Sequence, residues 1–479
     1  MRILMLTSEA HPFVKTGGLA DAVPALATAL HAMGHDVRLI LPRYYSIDKT
    51  TLNLHNTPIG VPMGEEELWC GIGETTLPGT TVPVYFVDRE DLFGREGIYG
   101  PDGSQSWPDN PRRYAFLSAA AFQVCRYLQW IPEILHLHDW PTAPAAGLLE
   151  HQERDLGFAK TASVVTVHNL GYQGIFDSNA RHLFPNHGSF FPPGDVNFLA
   201  AGLQHAQRIT TVSPTYAQEI LEEPMGAGLS ALLTPRKDRL SGILNGMDYQ
   251  EWNPSTDPAL ENNHYSSRFM GGKKRIKAAL QHEMGLPIRP HLPLFGMIAR
   301  LTEQKGVDLL QSPDSPALQA VREGRAQLVI LGSGEQRYEE ALRAMAHQFP
   351  TQCAVQIAFS GPLSRKIEAG SDFFLMPSRY EPCGLNQMYS LAYGTLPVVR
   401  QTGGLADSVL DMAHPDGDGF IFEDYSSEAL GKAMERAIQF YHEKTAMKKA
   451  RKRAMKRRFD WKSSAAEYLQ VYQQALADL

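Results

Sequence analysis

Short runs of consecutive apolar residues alternate along the chain with longer stretches whose apolar positions recur every three or four residues, the pattern of buried strands joined by amphipathic helices. Ile3 to Thr7 and Val37 to Leu41 read as strands around a helix from about Asp21 to Met33. In that helix Val23, Leu26, Ala27, Leu30 and Met33 form one stripe. This is a βαβ unit, for which a right-handed crossover is expected. Further strands are predicted at Val82 to Val87, Ile134 to His138, Ser163 to His168 and Arg208 to Val212, with helices at Arg113 to Leu128 and Phe198 to Ala206. Between Asn245 and about Lys273 the periodicity gives way to turn formers, which reads as a linker. Alternation then restarts with strands at Leu294 to Ala299, Gln327 to Leu331, Val355 to Phe359, Asp372 to Met376, Leu396 to Val399 and Gly419 to Phe422. The predicted fold is α/β, with two doubly wound parallel sheets whose ligands lie at the carboxyl ends of the strands. The tail adds a basic helix from Lys448, read as a solvated face, and a last segment with an apolar stripe of Trp461, Ala465, Tyr468, Leu469 and Tyr472.

Size and composition agree with this division. At 479 residues the chain exceeds what one core usually organises. A formal charge of -7 offers no general attraction to nucleic acid or membrane, so any polyanion site must be local. The four cysteines, Cys70, Cys125, Cys353 and Cys383, lack zinc or CxxC spacing and fit a reducing compartment. The opening MRILMLTSEAHP reads as a buried strand rather than a signal segment, and no apolar run is long enough to span a bilayer; a cytoplasmic protein is expected.

Candidate chemistry gathers at the predicted strand ends. The string TGGLAD occurs at Thr16 to Asp21 and again at Thr402 to Asp407, each between a strand and a helix. Glycine pairs there let backbone N–H groups approach an anion, and Lys15 and Arg400 stand nearby as cations. Arg300 and Lys305, five residues apart at another strand end, suit a diphosphate clamp. Glu381, followed by Pro382, Cys383 and Gly384, offers a carboxylate and amides to sugar or ribose hydroxyls; a helix-start acid is the plainer alternative. His136, His138, Asp139 and His168 lie at two further strand ends, with zinc ligation, sugar contacts and capping all open to them. Asp416-Gly417-Asp418 matches a DxD metal pattern but reads as a tight turn, as do Ser8-Glu9, Ser213-Pro214 and the GSGE string at Gly332.

Taken together, KTGGLAD at Lys15, HDW at His138, VHNLGYQG at Val167, VSPTYAQEI at Val212, ILNGMD at Ile243, ARLTEQKG at Ala299, PSRYEPCGLNQ at Pro377 and TGGLADSV at Thr402 resemble bacterial glycogen synthases and plant starch synthases. The resemblance implies a GT-B fold, two Rossmann-like domains facing an interdomain cleft. It implies an acceptor-side domain at 1–245, a nucleotide-sugar domain at 246–458, and a last helix, 459–479, crossing back onto the first. The implied activity is transfer of glucose from ADP-glucose to the non-reducing end of an α-1,4-glucan with retention, without metal or other cofactor. Carried over by motif, Lys15, Gly17, Gly18 and Asp21 belong to the first-domain loop near diphosphate and sugar. Asp139, His168 and Asn245 surround the glucosyl unit, and Arg300 and Lys305 hold phosphate. Glu381 with the amides of Cys383, Gly384 and Leu385 holds the sugar, and Thr402, Gly403 and Gly404 lie beside the distal phosphate. Departures are Pro141 after HDW, GAGLSALL from Gly226 and SRKIEAGSD from Ser364. Tyr389 stands where many other retaining enzymes of this fold carry a second glutamate. Two other readings are a related transferase with another donor or acceptor, and a silent glucan- or nucleotide-binding regulator.

Overall fold

The computed structural model describes residues 1–101, 105–312 and 314–479. The chain divides into two compact units, Met1–Gly246 with Trp461–Leu479, and Met247–Asp460.

In the first unit seven parallel strands run in the spatial order Leu240–Gly242, Arg208–Thr211, Ala162–Val167, Ile134–His138, Arg2–Leu6, Asp36–Pro42, Pro83–Asp88. Strand Arg2–Leu6 is central, with Met5 opposite Leu39 on one side and His136 on the other. The sheet continues beyond Pro83–Asp88 with Glu66–Thr76, which runs antiparallel and also pairs with Ile59–Met63. This antiparallel edge is absent from the sequence reading. From Glu66 to Ile72 the long strand buries only the alternate residues Leu68, Cys70 and Ile72, a pattern without the continuous apolar run of its parallel neighbours.

Helix Leu19–Ala32 starts two residues earlier than predicted and buries Val23, Leu26, Ala27 and Leu30; Met33, placed on the stripe by periodicity, is exposed. The final helix, Trp461–Ala477, belongs to this unit and seats Ala465, Tyr468 and Tyr472 in its core, together with Val471 and Ala475. Ser464 Oγ donates to the Leu244 carbonyl at 2.6 Å, and Arg208 pairs with Asp478 at 2.8 Å.

The second unit is a six-stranded parallel sheet in the order Cys353–Ile357, Gln327–Gly332, Leu294–Ile298, Phe373–Met376, Leu396–Arg400, Phe420–Phe422. The segment expected to be a linker is instead anchored in this unit: Trp252 is sandwiched between the Tyr389 ring at 3.6 Å and the Arg365 guanidinium at 3.6 Å. Tyr265 OH donates to the Tyr393 carbonyl at 2.8 Å. Side-chain anchoring of this kind leaves no periodicity to read.

The basic stretch is also more than a solvated face. Arg451 binds Asp372 at 2.5 Å, Arg457 binds the fully buried Asp418 at 3.0 Å, and Arg453 donates to the Gly417 carbonyl. Lys448, Lys449, Lys456 and Arg458 do face solvent. The Arg457 contact also settles the DxD string as a turn: Asp418 accepts from the Leu410 N–H at 2.8 Å, and Gly417 N–H closes on the His414 carbonyl at 2.9 Å. All four cysteines are free and buried, and burial pushes the thiols of Cys70, Cys125 and Cys353 up to about 12, so they stay protonated and unreactive. Among the described residues no helix is long and apolar enough to cross a membrane.

Candidate active site

Each sheet has one place where the winding reverses. In the first unit the chain moves outward from Arg2–Leu6 through Asp36–Pro42, then returns to add Ile134–His138 on the opposite side. In the second it moves outward from Leu294–Ile298 through Gln327–Gly332, then returns to add Phe373–Met376. At such a point the loops leaving adjacent strands diverge to opposite faces and open a crevice. The four loops there are the Lys15 loop, the HDW turn, the Arg300–Lys305 loop and the Glu381 segment.

In the first unit Lys15 Nζ, exposed on the loop before helix Leu19–Ala32, lies 2.7 Å from Asp21 in the first turn of that helix. A Cβ added at Gly17 would meet nothing within 4 Å, so this glycine lines open space; Gly18 caps the helix. The loop is held from beneath by Glu9, which sequence reasoning had passed over as part of a turn. Its buried carboxylate accepts from Thr16 N–H at 2.5 Å, Thr16 Oγ1 at 2.6 Å, Gly17 N–H at 3.3 Å and Tyr99 OH at 2.7 Å. Only the spacing from Glu9 to Thr16 hinted at this, and Tyr99 is 90 residues away in sequence.

Asp139 takes φ of +57°, a left-handed conformation that Asp tolerates better than most residues. Its Oδ1 accepts from the His168 N–H at 2.7 Å, joining the two strand ends. Burial raises the Asp139 carboxyl from 3.8 to about 7, against the backbone N–H groups of His168 and Asn169, which favour the anion. Behind it, His138 Nδ1 and His168 Nε2 are 3.1 Å apart. His136 has both ring nitrogens committed to hydroxyls, Thr166 Oγ1 at 2.6 Å and Tyr472 OH at 2.8 Å. The zinc reading therefore fails for His136, and among the described residues His136, His138, Asp139 and His168 do not gather as a group that could hold a metal ion. His136 is a core residue that ties the last helix to the sheet, while Asp139 and His168 join the two strand ends to each other. Asn245 is buried, next to the crossing at Gly246.

The histidines carry a pH consequence. Burial lowers His136 from 6.5 to about 3 and His138 well below its ordinary value, so both stay neutral when folded. Stability from this neutral state is present above the unfolded value of about 6.5 and is lost as pH falls toward about 3. The slope should approach about 1.4 kcal/mol per pH unit for each histidine. Urea midpoints of the first unit's transition, measured from pH 7 to pH 4, should fall with that slope and flatten by one proton in His136→Gln. A flat profile in the wild-type chain would contradict the assignment.

In the second unit Lys305 Nζ lies 2.7 and 2.8 Å from the Glu381 oxygens, and Ser378 Oγ donates to the same carboxylate at 2.9 Å. Glu381 is only 5% exposed. Arg300 is exposed on the same loop, its guanidinium 3.5 Å from Gln304 Oε1. The TGG turn packs directly on this segment. Gly404 N–H donates to the Glu381 carbonyl at 3.1 Å, and Gly403 has φ of +43° with a Cβ position 2.0 Å from that same oxygen. Gly384 has φ of +70°, and Gln387 Nε2 binds the Cys383 and Gly384 carbonyls at 3.0 Å. Leu385 caps helix Asn386–Ala392, and Thr402 is buried as the cap of Gly403–Ser408.

The two TGGLAD copies are thus not equivalent. The first opens to space and leads a 14-residue helix; the second is wedged against Glu381 and leads one of 6. Arg400, read as a companion cation, is spent on backbone, donating to the Arg379 carbonyl at 2.6 Å and the Glu423 carbonyl at 3.1 Å.

Comparison with known proteins shows the family and the fold. Residues 2–235 match the family description "Starch synthase catalytic domain" and residues 284–455 match "Glycosyl transferases group 1". The chain is 44% identical to the glycogen synthase of Treponema denticola, over 99% of each chain. It is 40% identical to glycogen synthase 2 of Geobacter sulfurreducens at the same coverage. Its fold superimposes on the catalytic domain of Starch Synthase IV from Arabidopsis thaliana, a structure bound to ADP and acarbose. The TM-score is 0.90 at 31% identity, covering 99% of both chains. A sucrose-phosphate synthase from Thermosynechococcus elongatus, TM-score 0.62 at 16% identity, shares the fold alone. With paired Rossmann-like sheets and full-length identity to named glycogen synthases, the chain belongs to the glycogen and starch synthase family of retaining glycosyltransferases.

Proposed function

We propose that the chain transfers glucose from ADP-glucose to the non-reducing end of an α-1,4-glucan, retaining the anomeric configuration, in the cytoplasm. The acceptor-side loops are assigned to the first unit and the nucleotide-sugar loops to the second. The observation that carries this reading is the coincidence, in each unit separately, of the chemistry-bearing loops with the reversal of sheet winding. The Arabidopsis relative, bound to ADP and acarbose, supports a nucleotide and a glucan-like ligand for the same fold.

Breaking the bond from sugar C1 to phosphate builds negative charge on the diphosphate and positive charge on the ring. Arg300 and Lys305, with Lys15 and the amides of Gly17, Gly18, Gly403 and Gly404, supply positive potential for the leaving group without a metal ion. Glu381, Asp139 and Asn245, with the amides of Cys383, Gly384 and Leu385, hold sugar hydroxyls, and Thr402 contacts the distal phosphate. Retention is accounted for by attack from the leaving-group face, the departing phosphate taking the acceptor's proton and the His168 carbonyl stabilising the cationic ring. No carboxylate is assigned to the opposite face as a nucleophile.

Radiolabel transfer into glycogen from ADP-glucose and UDP-glucose, each with and without EDTA, tests the reading. Efficient transfer from ADP-glucose, unchanged by chelation, is expected. Preference for UDP-glucose would reassign the donor, loss with EDTA would reassign the chemistry, and no transfer from either would favour a binding protein.

A further inference from the structure

One cluster outside this machinery has the composition of a metal site. Glu150, His151 and His205 each offer a ligand atom, and the three atoms lie within 4.8 Å of one another on the surface of the first unit. Glu150 and His151 lie on the helical segment entered after the HDW turn, and His205 ends helix Phe198–His205, so the cluster joins two elements by side chains alone. The rings of His151 and His205 meet edge to face, 4.8 Å between centroids.

Hydrogen bonding at His205 points to a cation. His205 Nε2 lies 3.1 Å from the Phe190 carbonyl, and a carbonyl only accepts, so that nitrogen carries a proton. In the neutral ring Nδ1 then presents a lone pair to Glu150 Oε2 at 3.3 Å. Two acceptors face each other, an arrangement that a proton or a metal ion between them must relieve. An outer N–H donated to a backbone carbonyl is also how ligating histidines are usually held, with ring orientation and tautomer fixed.

Between the two cations, the second imidazole favours the metal: His151 offers a further ring nitrogen within 4.8 Å of the other two ligand atoms, which a metal ion can take up and a single shared proton cannot. Arg236, which donates to the Gln204 and Ala206 carbonyls, is the opposing charge; its field reaches Glu150 and weakens attraction for any cation.

We propose that Glu150, His151 and His205 form a binding site for a divalent transition-metal ion, zinc foremost. Two imidazoles and a carboxylate suit zinc and leave a fourth position to water. Ligand bonds of about 2.0–2.2 Å place tetrahedral ligand atoms roughly 3.4 Å apart, so the side chains draw together by about 1 Å on binding. The effect is a clip between the helix after the HDW turn and the helix ending at His205, with no part in glucosyl transfer.

The test uses the full chain stripped with EDTA and dialysed. Cobalt(II) titration should give one equivalent with the visible bands of a low-coordinate site, displaced by zinc, while magnesium gives none. His151→Ala and Glu150→Gln, exposed positions where folding is not at risk, should each weaken binding by at least the roughly 10–100-fold that losing an outer partner costs. Zinc should raise the thermal midpoint of the wild-type chain and leave that of His151→Ala unchanged, with glucosyl transfer equal in both. Absence of cobalt bands at several equivalents, or wild-type affinity in both variants, overturns the site and leaves a plain His205–Glu150 ion pair.

Discussion

Replacing Lys305 with alanine is expected to lower kcat by roughly a hundredfold to a thousandfold, the usual cost of removing one preorganised group from a developing anion. The lysine sits on the loop after strand Leu294–Ile298 with its ammonium 2.7 Å from Glu381, so its position is fixed before any donor arrives. The same pairing complicates a single substitution. Glu381 is nearly buried, and losing its cation leaves a desolvated carboxylate to which Ser378 still donates, at a cost on the order of 1–3 kcal/mol in the second unit. A double-mutant cycle separates the two effects. Lys305→Ala combined with Glu381→Ala should recover much of the lost stability, because no unpaired charge is left. Activity should fall at least as far as in either single variant, because the proposed leaving-group stabilisation and the proposed sugar contact are removed together. A Lys305→Ala chain that turns over like the wild type would end the clamp assignment, whatever its stability.

How much of this was legible without coordinates differs by element, for physical reasons. Parallel strands buried on both faces spell continuous apolar runs, and Ile134 to His138 and Arg208 to Val212 could be placed to within a residue. Glu66–Thr76 could not, because a strand with one largely wet face and two glycines reads as neither strand nor helix. Among the candidate site residues, Arg300, Lys305, Glu381, Asp139 and His168 stood out because charged or polar groups in the loop after a predicted parallel strand have few structural reasons to be there. Glu9 and Tyr99 did not, since their meaning lies in a contact across 90 residues that no local pattern encodes. The same limit explains Arg451, Arg453 and Arg457. A run of basic residues looks solvated until the buried Asp372 and Asp418 and the Gly417 carbonyl are brought beneath it. His136 shows the converse error. Its place in an HxH string suggested ligation, yet both nitrogens are taken by hydroxyls, one of them from a helix 336 residues away.

Asp139→Asn should move activity and stability in opposite directions, an outcome that a merely structural residue does not give. Asparagine tolerates the left-handed backbone at this position and keeps an oxygen for the His168 N–H, so the turn survives. What is lost is the ability to ionise. Burial raises the Asp139 carboxyl from 3.8 to about 7, and the anion is the form disfavoured by folding. A raised folded value means that the stability contribution is complete below about 3.8 and disappears as pH rises through about 7. Because part of Asp139 keeps contact with solvent, the penalty on the wild type above neutrality is on the order of 1–3 kcal/mol. The asparagine variant escapes it and should melt higher than the wild type at pH 8, with no difference at pH 4. Transfer is expected to run the other way, since on the proposed assignment the anion holds a sugar hydroxyl and offsets positive charge on the ring. Wild-type kcat/KM for the donor should climb as pH passes about 7, and Asp139→Asn should lose that limb with roughly a hundredfold less activity on the plateau. Equal turnover in the two chains, or an unchanged pH limb in the variant, would remove Asp139 from the transfer site and leave it as the hydrogen-bonded turn between two strands.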